Sequence, residues 1–197
     1  MSHRLDIVQR QIRDAVNAAA CGPIRVVSVC AGQGRDLIGA LSEHPRRHDV
    51  EARLVELDER NVAAARAALG AADLPGVTVV EGDAARTDAY LGAVPADLVL
   101  VCRVFGNVSD DDIEHTVKRL PQLCAAGATA IWTRHRGPPD LTVAIRAWFA
   151  AAGFIERAFE IVPDSNVSIG VHRFEGAPVA LEVGQRLFTF VDRESSR

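Results

Sequence analysis

The sequence predicts an α/β fold: a doubly wound, mostly parallel seven-stranded sheet that closes in a C-terminal antiparallel hairpin. Two patterns carry the prediction. From residue 24 onward, short β-branched runs alternate with segments of helical period, and the last two apolar runs are joined by a turn too short for a parallel crossover. Length sets the scale, because 197 residues can bury a continuous core yet leave no room for a cofactor domain plus a full second domain. A single domain over 1–197 is expected, with an N-terminal helix in 1–22, a core in 24–174 and a C-terminal extension in 175–197.

The first segment sets Leu5, Val8, Ile12, Ala15, Val16 and Ala19 along one stripe, the period of an amphipathic helix, and Cys21-Gly22-Pro23 stops it. IRVVSVC then has strand length and enters the turn AGQG and the helix RDLIGALSEHP. The unit recurs as EARLVELD with ERNVAAARAALG, VTVVEGD with a loop, ADLVLVC with DDDIEHTVKRLPQL, and GATAIWTRH with LTVAIRAWFAAAG. Strands alternating with helices imply right-handed crossovers and helices on both faces. FIERAFEIVP and SNVSIGVHRFE form the closing hairpin, and RLFTFV in the tail suits an edge strand, a lid or a contact in a homodimer.

Composition excludes several classes. No apolar run approaches the roughly 20 residues of a membrane span, and the N-terminus shows no apolar signal core, so a cytoplasmic setting is expected. Cys21, Cys30, Cys102 and Cys124 lack CxxC spacing, which suits buried reduced thiols better than a zinc site or disulfides. With 22 basic and 26 acidic residues the net charge is −4, which disfavours nucleic acid as a partner.

In an open parallel sheet, ligands bind beyond the carboxyl ends of the strands. The first strand ends in Cys30-Ala31-Gly32-Gln33-Gly34, whose glycines permit a sharp turn and a close backbone approach, or serve the turn alone. Glu56 closes the second strand 22 positions after Gly34, where a carboxylate can accept from both hydroxyls of a ribose, and Asp58 follows as a helix N-cap. Asp83 ends the third strand, where its carboxylate can accept from an adenine amino group while the Ala84 N–H donates to a ring nitrogen. A dinucleotide fingerprint would need a third Gly or Ala where Leu37 stands.

The runs VVSVCAGQGRDL, LVELDERNV, VVEGDA and ADLVLVCRVFGNV resemble the successive motifs of class I S-adenosylmethionine-dependent methyltransferases, a Rossmann-like family, over residues 24 to 174. The resemblance implies S-adenosylmethionine as cofactor and methyl transfer to a small-molecule acceptor by in-line displacement. It assigns the methionine part to Cys30, Gly32 and Gly34, the ribose to Glu56, and the adenine to Asp83 with Ala84. Ala31, Leu57, Cys102 and Arg103 complete the expected cofactor contacts. Two positions depart from the pattern: Ser28 stands where the family has an acid and Cys30 where it has a glycine. Asp36 offers a substitute for the missing acid, although a favourable charge at a helix N-terminus is the simpler reading. A cofactor-binding module without catalysis and an NAD-binding oxidoreductase are the competing functions.

On the acceptor side, His135 at the end of the fifth strand is the first candidate for a group that orients or deprotonates the acceptor. The plainer reading of Arg134-His135-Arg136 is an ordinary basic turn, and the same trio could instead bind a substrate carboxylate. Arg103, Phe105 and Asn107 lie in the loop that faces the transferred methyl in related enzymes. Ser109 with Asp110, Asp111 and Asp112 reads as a helix N-cap and an acidic first turn, and three consecutive carboxylates cannot converge on one ion, so no metal is expected. Without a large insertion, the acceptor pocket must draw on the N-terminal helix, the loops after the fourth and fifth strands and the tail.

Overall fold

The computed structural model describes residues 3–191. The expected N-terminal helix and C-terminal extension therefore reach beyond the described residues at both ends. Seven strands form one sheet: β1 (Ile24–Val29), β2 (Val50–Glu56), β3 (Val77–Glu81), β4 (Ala96–Val101), β5 (Cys124–His135), β6 (Phe154–Ile161) and β7 (Val167–Phe174), in the order β3-β2-β1-β4-β5-β7-β6. The first five strands pair in parallel, and β7 pairs antiparallel with both β5 and β6. The closing hairpin is as expected.

Helices α1 (His3–Ala18), α2 (Arg35–Leu41) and α3 (Glu59–Ala72) pack on one face, and α4 (Asp110–Arg119) and α5 (Thr142–Ala151) on the other. Strand residues divide between the two cores with period 2: Val26 joins Val8, Ile12, Val16 and Leu37, while Val27 joins Val99, Trp132, Ile113 and Phe149. The α1 stripe forms as its spacing predicts, with Val8, Ile12 and Val16 fully buried. The exit from α1 is held from a distance. Arg46 Nη1 donates to the carbonyls of Val16 (2.9 Å) and Ala19 (2.8 Å), placing a cation on the negative end of the helix.

The connection from β3 to β4 contains only a 3₁₀ turn, Thr87–Tyr90, and no α-helix. The space a crossover helix would fill is taken by the tail. Leu187 and Phe188 are buried in the same core as Trp132, and backbone bonds tie Leu187 N to Ala85 O (2.7 Å) and Val191 N to Asn107 O (2.9 Å). Among the described residues the tail adds no edge strand, since its bridges at Arg186 and Phe190 are isolated. Of the four cysteines, all unpaired, Cys21 is exposed, contrary to the expectation of burial. No helix among the described residues is long and apolar enough to cross a membrane.

His172 illustrates how the core handles a polar ring. It lies stacked on Phe149 with centroids 4.4 Å apart, and its Nδ1 accepts from Trp132 Nε1 at 3.2 Å. Burial drives its pKa down to about 4, so the ring is neutral at physiological pH.

Candidate active site

The strand order reverses between β1 and β4, which run parallel, and the cavity opens there, at the carboxyl ends of β1, β2 and β4. It encloses about 600 Å³. The loop after β1 contributes Cys30, Ala31, Gly32 and Gln33, β2 contributes Glu56, and the loop after β4 contributes Cys102, Arg103 and Asn107. Ser28, Arg35, Asp36 and Asn61 complete the inner wall. Arg4 and Leu5 reach in from α1 and Phe190 from the tail.

The glycine loop is built around Glu56. One carboxylate oxygen accepts from Gly32 N at 2.7 Å and the other from Asp58 N at 3.0 Å, so this side chain fixes the distance between the ends of β1 and β2. Asp58 caps α3, accepting from the backbone N–H groups of Arg60 and Asn61; bonds to Arg60 hold its pKa down to about 2. Glu56 thus faces the cavity, and Asp58 serves the helix.

The two glycines of the loop differ. Gly32 has φ +58°, and a Cβ added there would meet nothing within 4 Å, so its missing side chain leaves open space at the cavity wall. Gly34 has φ +70°, and a Cβ there would lie 2.7 Å from Ile38 Cδ1 and 2.9 Å from Leu54 Cδ2. Gly34 is thus required by packing of the α2 entry and does not line the cavity. Cys30 adopts φ 54°, the left-handed conformation that explains why glycine is usual at this position. Its thiol is pushed up to about 12, first by burial and then by Glu56 and Asp83, which leaves it protonated.

The loop after β4 is held from its neighbours. Arg103, at φ 66°, donates its backbone N–H to Thr133 Oγ1 at 2.8 Å, and Asn107 Nδ2 donates to the Arg103 carbonyl at 2.6 Å. The buried Arg134 donates through Nη1 to the Phe105 carbonyl, and burial lowers its pKa. Arg136 pairs with Asp140 at 3.3 Å. Each guanidinium group of the Arg134-His135-Arg136 trio thus has a partner within the fold. His135 is exposed, with its ring against Gly106, and Nδ1 accepts from Gly137 N at 3.3 Å.

Four expected residues lie outside the lining besides Gly34: His135, Leu57, Asp83 and Ala84. Leu57 is 65% exposed beside the mouth. One oxygen of Asp83 accepts from Ala85 N at 2.9 Å and the other pairs with Arg186 of the tail at 3.0 Å, while the Ala84 carbonyl accepts from Tyr90. Ser109 caps α4 as expected, and Asp112 of the acidic run accepts from Thr189 N at 3.1 Å. Residues that the sequence did not single out are Arg4, Leu5, Gln33, Arg35, Asn61 and Phe190. Of these Gln33 and Arg35 lie in or directly after the glycine loop, and Asn61 sits three positions after the N-cap at a strand end. The rest are brought in by tertiary packing.

The sequence matches the family described as "Putative methyltransferase" over residues 2–153. The chain belongs to this methyltransferase family, and its fold is the Rossmann-like α/β fold of such enzymes. No curated protein matches it. Among solved structures it is similar to an O-methyltransferase family protein from Burkholderia thailandensis, with 16% identity and a TM-score of 0.64 over 85% of this chain and 56% of that one. It is also similar to magnesium protoporphyrin IX methyltransferase from Synechocystis with bound SAM, at 14% identity and a TM-score of 0.69, covering 87% and 80% of the two chains. A third is precorrin-6y C5,15-methyltransferase from Geobacter metallireducens, at 13% identity and a TM-score of 0.61, covering 85% and 87%. The chain thus spans little more than half the length of the Burkholderia protein, and identities this low speak for the fold alone.

Proposed function

We propose that the protein is a cytoplasmic S-adenosylmethionine-dependent methyltransferase acting on a small-molecule acceptor. The observation that carries this reading is Glu56, which closes β2 at the cavity with one oxygen on the Gly32 amide. A carboxylate offers about four lone-pair positions, and two backbone donors leave two for the hydroxyls of a ribose. The open space beside Gly32 fits the close passage of a ligand over that backbone. Asp83 and Ala84, at the end of β3, would then read the adenine, with the Arg186 pair loosening as the base arrives. Four unpaired cysteines suit a reducing compartment.

Bound there, S-adenosylmethionine would supply an electrophilic methyl on its sulfonium. The protein's own work is alignment and exclusion of water. Arg103 and Asn107 border the cavity from the loop after β4 and would hold the acceptor. His135, one strand further, would orient it through its exposed ring, which packs against Gly106 of that loop. The test is isothermal calorimetry and thermal shift with S-adenosylhomocysteine and NAD. We expect the first to bind and raise Tm, by about 2.7 kcal/mol of stabilisation at a hundredfold excess over Kd, and the second to do neither. Binding of NAD alone would overturn the reading in favour of an oxidoreductase.

A further inference from the structure

The inner wall of the cavity holds an ion pair that the glycine loop does not explain. Arg4, from the first turn of α1, places Nη2 3.3 Å from Asp36 Oδ1 in the first turn of α2. Both side chains line the cavity, and both are about four-fifths buried. Arg4 Nη1 is shut off from solvent and has no hydrogen-bond partner among the described residues. An unmet donor on a buried guanidinium is a standing cost, and it is relieved only when an acceptor is seated beside it.

The surroundings define what kind of acceptor. Ser28, at the end of β1 and 8% exposed, brings a neutral hydroxyl to the same wall, and among the described residues Asp36 is the only lining carboxylate apart from Glu56, whose two oxygens already receive backbone amides. Asp36 also faces Cys102 at the end of β4; burial first, then this carboxylate, push the Cys102 thiol well above its ordinary range. One cation with a spare donor and one anion with spare lone pairs therefore stand side by side at the junction of β1 and β4. A singly charged group would match only one of the two charges. A zwitterion of opposite polarity satisfies both.

We infer that Arg4 and Asp36 together receive the α-amino acid head of the cofactor, Arg4 its carboxylate and Asp36 its ammonium. The inference rests on the proposed use of S-adenosylmethionine. It assigns the first turn of α1 to the cofactor, whereas the sequence placed that helix with the acceptor, and it gives Asp36 the work for which Ser28 has no charge.

The experiment compares two nucleosides that differ in the head. S-adenosylhomocysteine carries it, and 5′-methylthioadenosine keeps the adenosine and the sulfur but lacks it. Calorimetry on the wild type, Asp36→Asn and Arg4→Met should show S-adenosylhomocysteine affinity falling about 10-fold to 100-fold in each variant, the scale of a lost charged hydrogen bond. Affinity for 5′-methylthioadenosine should stay within about threefold, which also reports that each variant is folded, and Arg4→Lys serves as a second variant that keeps the charge and should retain part of the difference. Equal losses for both nucleosides, or unchanged S-adenosylhomocysteine affinity in Asp36→Asn, would overturn the inference while leaving the cofactor assignment standing. If the wild type binds neither nucleoside, the cofactor assignment itself falls and takes this inference with it.

Discussion

Two loops wall the cavity from either side of the switch point, and they reach a similar shape by different means. The loop after β1 begins at Cys30 (φ 54°) and the loop after β4 turns at Arg103 (φ 66°), so each places a non-glycine residue in the left-handed region next to the ligand space. The first loop is held largely by its own backbone and one neighbour. Ala31 N donates to Val55 O, Gly34 N to Ala31 O, and Gly32 N to Glu56. The second is held by groups far along the chain: the Thr133 hydroxyl, the Arg134 guanidinium and, through Asn107, the backbone of Val191. Strain at a functional turn persists only where the surroundings over-determine it, and the two loops show a local and a distributed way of doing so.

If the loops divide the work, substitutions on the two sides should separate rate from affinity. The largest effect is expected on the acceptor side. His135→Ala should lower the methyl-transfer rate by about 10²-fold, within the range for loss of an acid–base or orienting group, and leave S-adenosylhomocysteine affinity unchanged. His135→Gln keeps a side-chain donor, so recovery of rate by Gln would favour orientation, and failure of both variants would favour proton transfer. Full activity in the Ala variant would remove His135 from the proposed site and leave Arg103 and Asn107 as the acceptor contacts.

The next effect lies on the cofactor side and should show the opposite signature. Glu56→Ala removes the acceptor of Gly32 N and the proposed ribose contact together, and is expected to weaken S-adenosylhomocysteine by about 1.5 to 3 kcal/mol without unfolding the chain. Calorimetry measures the loss and far-ultraviolet circular dichroism the fold. Unchanged affinity would mean that the carboxylate serves only to tie β1 to β2.

The same contrast explains what could be read from the sequence. The strands, the helices and the closing hairpin followed from period and length, because each depends on residues within a few positions of one another. Gly32, Glu56 and Asp58 were legible for the same reason, as each sits where a strand ends and a helix begins. Arg4, Asp36 as its partner and Phe190 were not, since their meeting depends on how α1, α2 and the tail dock, and no local pattern encodes that. The tail shows the limit most clearly. RLFTFV has the apolar content of a strand, yet the missing helix between β3 and β4 draws Leu187 and Phe188 into the core, and pairing with an edge would have left them exposed.

The smallest effect tests whether the strain in the first loop is a cost without a use. Cys30 holds φ 54°, which costs an L-residue about 1 to 2 kcal/mol relative to glycine, whereas glycine costs about 0.5 to 1 kcal/mol through the entropy of the unfolded chain. The side chain also packs partly against the core that contains Tyr90 and Val29, so its removal forfeits some contact. These contributions leave Cys30→Gly close to neutral, with a net gain of up to about 1 kcal/mol. That gain would appear as a rise of a few degrees in Tm. Because the thiol is held protonated at about 12, the substitution removes no charge from the cavity, and S-adenosylhomocysteine affinity should not change. A variant that melts lower than the wild type would show that the Cys30 side chain contributes more by packing than its backbone loses by strain. The departure from glycine in the first loop would then be a stabilising feature, bringing that loop closer to the second, where distant contacts hold Arg103 in the same conformation.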